Sequence, residues 1–164
     1  MPKTDLQHLP DDTRIWLFGI SPRLDAAQSH ELSRRIDAFL DQWAAHGVPL
    51  TSARGLIDEQ FLVIGIDKQA EASGCSIDRM YGVLRQAEND LRVSILDPGR
   101  VFFRHSDGRI DTETREAFRE NGDLHTIVFD LTAERLGQIR SGAWEKRAEE
   151  SWHRDLLAAK PSSS

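Results

Sequence analysis

The chain has 164 residues, 39% of them hydrophobic and 29% charged, and its 27 Asp and Glu against 21 Lys and Arg give a formal charge of −6. That length suits one ordinary domain or one domain with a small appendage, able to bury enough surface to fold without a disulfide or a metal. The acidic balance argues against general nucleic-acid binding, no apolar run approaches the roughly 20 residues that span a bilayer, and the lone Cys75 excludes an intramolecular disulfide framework.

The opening MPKTDLQHLPDD has neither the charged nor the apolar half of a signal peptide, so a cytoplasmic location is expected. Residues 1–13 read as a mobile lead-in, and the Ser-rich end at 160–164 as a disordered tail. Ile15 to Ile20 is a continuous apolar run closed by Ser21-Pro22, the pattern of a strand buried on both faces. A long helix follows, with Leu32, Ile36, Phe39, Leu40 and Trp43 at helical spacing; Asp25 and Gln28 offer a capping box, and Gly47 stands where a helix stops. Thr51–Ile57 and Phe61–Asp67, separated by Asp58-Glu59-Gln60, predict an antiparallel hairpin. A second helix carries Ile77, Tyr81, Leu84 and Leu91 on one side with Ser76 as its cap, and Arg92–Asp97 reads as a fourth strand.

The order is β-α-β-β-α-β, the split βαβ unit of a ferredoxin-like sandwich, and the fold class is accordingly α/β (α+β) with this unit over residues 14–97. Helices cover one face of such a sheet. The apolar first and third strands therefore call for a cover on the other face, supplied by the rest of the chain or by a homodimer partner. Residues 98–159 form the candidate cover. Val101–His105 and Arg109-Ile110 around Ser106-Asp107-Gly108 predict a hairpin; Asp111 or Thr112 caps a short helix that Gly122 stops; Thr126–Leu131 is a strand. Trp144, Ala148, Trp152, Leu156 and Ala159 fall on one helical stripe, with the tryptophans read as plugs for the sheet or as a partner face.

The phosphate loop G-x-x-x-x-G-K-[ST], the dinucleotide fingerprint G-x-G-x-x-G, G-x-S-x-G and H-E-x-x-H are all missing, so no cofactor is expected. One cysteine and dispersed histidines have no metal-ligand spacing, so no metal site is expected either. The strongest site candidate is Ala72–Asp78, between a strand and a helix N-terminus, where free amides favour an anion or a thiolate. Two readings follow, and they leave open whether the chain is an enzyme. In the first it is a binding or adaptor protein for a protein or a small anionic ligand, with Ser73, Gly74, Ser76 and Trp152 at a site near the 67–78 loop or in a groove between the two halves. In the second it is a thiol-dependent enzyme or redox sensor, with Cys75 as nucleophile and His125 or His153 as base. The basic stretch Arg92–Arg109, interleaved with Phe102 and Phe103, has two readings, a grip for an anion or a single nucleic-acid strand and, more often for such a pattern, the wet face of a hairpin.

The phrases Gln42–Leu50 (QWAAHGVPL), Ala72–Asp78 (ASGCSID), Thr126–Asp130 (TIVFD) and Ser151-Trp152-His153 resemble a family of uncharacterised bacterial proteins, some members of which are labelled "ABC transporter ATPase". The similarity spans most of residues 14–157 and draws attention to Cys75, His46 and Trp152-His153. Without a phosphate loop, it implies no ATPase site here. Separately, Val101–Phe129 is similar to the hairpin–helix–strand pattern of GYF-type peptide-binding modules, but lacks their tyrosine-bearing motif.

Overall fold

A computed structural model describes residues 6–45, 48–49, 51–67 and 74–158. In chain order, a 3-10 turn (Leu6–His8) leads into β1 (Arg14–Gly19), α1 (Ala26–Gln42), the two-residue strands β2 (Ala44–Ala45) and β3 (Val48–Pro49), β4 (Ser52–Ile57), β5 (Phe61–Ile66) and α2 (Gly74–Leu91). Next come β6 (Arg100–Arg104), β7 (Ile110–Thr114), α3 (Arg115–Asn121), β8 (Ile127–Phe129), α4 (Leu136–Arg140), β9 (Glu145–Arg147), a 3-10 turn (Ala148–Glu150) and α5 (His153–Ala158). This is an α+β protein of two compact units. The first runs to Leu96 and includes Ala133–Arg140; the second is Asp97–Thr132 with the chain from Ser141 on.

In the first unit the sheet order is β1-β5-β4, antiparallel throughout, with Trp16 and Arg54 both opposite Ile64. Residues alternate between faces of a strand. Leu62, Ile64 and Ile66 of β5 therefore join Leu32, Ile36, Leu40, Met80 and Leu84 of the two helices in one core. α1 starts where the capping box placed it: the Gln28 amide donates to Asp25 Oδ1 (2.7 Å), and the Asp25 amide to Gln28 Oε1 (2.9 Å). It ends at Trp43, whose buried indole Nε1 donates to the Ser76 carbonyl (3.1 Å). Gly47, expected as the stop, lies outside the described residues.

The expected fourth strand is a single antiparallel bridge between Ser21 and Ser94. The reason is local. The amides of Ile95 and Leu96 both donate to Glu88 Oε2 (2.7 and 2.8 Å), so a side chain takes the donors that a ladder would need. α2 already includes Gly74, which places Ser76 inside its first turn rather than at its cap.

The lead-in expected to be mobile takes part in the fold from Leu6 onward: Leu9 and Thr13 are buried, and Leu6 lies over the two glycines of the sheet's second face. A Cβ at Gly55 would stand 2.8 Å from Leu6 Cδ2, and one at Gly65 3.3 Å from Leu6 Cδ1 and from Thr13 Cγ2. Beside this turn, Ala133–Arg140 returns to the same unit. The Ile15 amide donates to Glu134 O (2.9 Å) and Leu136 N to Thr13 O (2.9 Å), while Arg140 reaches Asp11 Oδ1 (2.8 Å) and Leu6 O (2.9 Å). Every residue of β5 is consequently buried.

The second unit has a four-stranded sheet in the order β7-β6-β8-β9. Val101, Phe103 and Val128 share one face and pack with Phe118 of α3, Ala148, Leu156 and Leu157. The expected helix through Trp144–Ala159 is instead a turn at Gly142 (φ +78), strand β9 and the six-residue α5. Pairing with β8 overrides the helical spacing: Lys146 sits opposite Val128, and the Asp130 amide donates to Trp144 O (2.7 Å). Trp144 is buried against Phe129, with ring centroids 4.9 Å apart.

Candidate functional site

Two tight turns and one short helix build a cleft at one end of the second unit. The first turn joins β6 to β7: the His105 amide donates to Arg109 O (2.7 Å), and Gly108 N to His105 O (2.9 Å). Gly108 has φ +91, a conformation that needs glycine. Thr114 then caps α3 by accepting from Ala117 N (3.1 Å). The helix ends as Gly122 N donates to Phe118 O (2.7 Å). In the second turn, Asp123 Oδ1 accepts from His125 N (2.7 Å), and the Asp123 amide donates to Thr126 Oγ1 (3.0 Å).

Between these parts lies a cleft of about 620 Å³, lined by Phe103, Arg104, His105, Glu113, Phe118, Asn121, Asp123, His125 and neighbouring turn residues. Phe103 and Phe118, with centroids 6.1 Å apart, form its apolar side, and the His105 ring meets Phe103 edge-on at 5.0 Å. Arg104 is committed elsewhere: Nε and Nη2 go to Glu145 (3.1 and 2.8 Å) and Nη1 to Gly108 O (2.7 Å). His105 Nε2 pairs with Asp111 Oδ2 (3.0 Å). That bond, followed by one from the Thr112 amide, holds the Asp111 carboxyl below its ordinary range. Glu113 Oε2 is shut off from solvent and has no hydrogen-bond partner among the described residues. Asp123, Asn121 and His125 are exposed on the rim. Such a site offers apolar surface, carboxylate acceptors and imidazoles, which is equipment for holding a ligand. Among the described residues no group of three or more His, Cys, Asp and Glu could hold a metal ion.

No family model, curated protein or solved structure matches the chain.

Of the site residues expected from the sequence, His125 lines this cleft, joined by Phe103, Arg104 and His105 of the basic stretch. Cys75 is exposed in the first turn of α2, with Gly74 exposed before it and Ser76 buried after it, all in the first unit. His46 and residues 68–73 of the 67–78 loop, Ser73 among them, lie outside the described residues. His153 is 1% exposed in the second unit, its Nδ1 2.7 Å from Ser151 Oγ and its ring stacked on Trp152 (4.0 Å, 25°). Burial pushes its imidazole down to about 4; Arg115 and Lys146 act in the same direction, and Asp130 opposes them. His153 is therefore a neutral ring in the packing behind Phe118, 6.0 Å from that ring. Trp152 is half-buried beneath the Arg115 guanidinium (5.0 Å).

Glu113, Asn121 and Asp123 were not legible as site residues. The one available signal was the alternation of Ile110-Asp111-Thr112-Glu113 after a predicted hairpin, which puts two acids on the same face as Val101 and Phe103.

Proposed function

We propose that the chain is a non-catalytic binding protein that holds a segment of a protein partner in the cleft of its second unit. The observation that carries this reading is the cleft itself: about 620 Å³, within the roughly 300–1,000 Å³ typical of ligand sites, with phenylalanines inside and polar groups on its rim. The rim belongs to turns fixed by their own hydrogen bonds, so little ordering cost remains to be met on binding. The test is selection of displayed random peptides on the full chain. Selected peptides should bind at least about tenfold more weakly to an Asn121→Ala/His125→Ala variant and equally well to Arg79→Ala in the first unit. Equal binding to all three proteins, or no enrichment at all, overturns the proposal.

A second reading, thiol chemistry at Cys75, is favoured by the exposure of that residue in the first turn of an 18-residue helix.

A further inference from the structure

We infer that this cleft is selective for a basic side chain of the partner, a lysine ammonium or arginine guanidinium on its aliphatic stem, and that Glu113 is the specificity-determining residue. The inference rests on the binding reading above and names the chemistry that the cleft accepts.

Glu113 stands opposite Val101 on β7, on the sheet face whose other members pack against Phe118. An acid on an apolar face is costly unless its charge is met. Here one carboxylate oxygen is closed off from water and receives no donor from the described residues. The cation lining the same cleft does not serve it, because all three Arg104 nitrogens are engaged by Glu145 and Gly108. Asp123 adds a second carboxylate to the lining, hydrogen-bonded to its own turn and in no ion pair among the described residues. The methylenes of a lysine or arginine would lie along the cleft lining while the charged end reaches the carboxylates. A cationic group in the cleft would thus meet a carboxylate to which no described residue donates, and an anionic one would meet repulsion.

The test is titration of the ¹⁵N-labelled full chain with the methylamides of N-acetyl-lysine, N-acetyl-norleucine and N-acetyl-glutamate, followed through the amides of Glu113, Phe118 and Asp123. The lysine fragment should shift them with an affinity at least about fivefold above norleucine, and glutamate should be the weakest. Glu113→Gln, which keeps the size and removes the charge, should abolish the lysine advantage and leave norleucine binding unchanged; Asp123→Asn should reduce it less. If lysine and norleucine shift the cleft amides equally, or glutamate binds best, the inference is overturned and the binding reading stands. If all three shift only amides outside the cleft, the binding reading itself falls. Should Glu113→Gln disturb the fold, the ranking of the three fragments on the wild type decides alone.

Discussion

Gly122 stands where a Cβ would lie 2.5 Å from Cε2 and 2.7 Å from Cζ of Phe118. Its backbone is ordinary, with φ −86, so glycine is required by the ring and not by the turn. Phe118 is 1% exposed, held between Phe103 and His153, and has nowhere to move. Gly122→Ala should therefore destabilise the second unit by about 1–3 kcal/mol, as overpacking does. Gly82, in the middle of α2 with no described residue within 4 Å of a Cβ, is the opposite case. Gly82→Ala should stabilise the first unit by about 0.5–1 kcal/mol through helix propensity. Denaturation followed by residue-resolved hydrogen exchange separates the two units; equal effects of the two changes would refute both expectations.

Stability should fall in mild acid because of His153. Its pKa is about 4 when folded, against 6.5 for a free histidine. The unfolded chain thus binds more protons between those values. The contribution is complete above about pH 6.5 and is lost as the pH drops toward 4. At pH 5 the loss should be about 2 kcal/mol relative to pH 7. His153→Gln should remove most of this difference between pH 7 and pH 5, whatever its absolute stability, as read from denaturant midpoints of the second unit.

The helical layer of the first unit rests on few side chains. Leu32 is 1% exposed in its core, so Leu32→Ala should cost about 2–5 kcal/mol. Phe39 is only half-buried, with its ring 5.2 Å from that of Trp43, and Phe39→Ala should cost less than Leu32→Ala. Asp25→Ala removes one arm of the capping box and should cost about 0.5–2 kcal/mol. A thermal melt in which Phe39→Ala is the most damaging of the three would contradict this packing.

Cys75 should react with iodoacetamide in the folded protein without prior unfolding, since its side chain is exposed. Cys75→Ser should leave the denaturation midpoint unchanged within about 0.5 kcal/mol. Alkylation only in denaturant would show that the thiol is covered, and would remove the basis of the thiol reading.

Much of the first unit was legible because its signals are local. Asp25 and Gln28 mark the start of α1, Leu32, Ile36 and Leu40 set its period, and three residues between a mixed run and an apolar one dictate a hairpin. The segments that defied reading are governed by distant partners. The spacing of Trp144, Ala148 and Trp152 fits a helix, but Val128 and Phe129 supply a strand edge that captures residues 145–147. Leu6, Leu9 and Thr13 are too sparse to form a periodic face, because each packs singly, Leu6 over glycines that look like flexible points in the sequence. Glu113 was hidden for a similar reason: an acid in an edge strand looks like wet surface until the helix that packs beside it is known.

The return of Ala133–Arg140 to the first unit has a consequence for biosynthesis. When the ribosome has released Leu96, the sheet has its strands and both its helices but not the carbonyl of Glu134 that the Ile15 amide awaits, nor the Arg140 guanidinium that ties down Asp11 and Leu6. The nascent amino-terminal half therefore waits, incomplete along one border, until about forty more residues have emerged. No single proteolytic cut could then release either half intact.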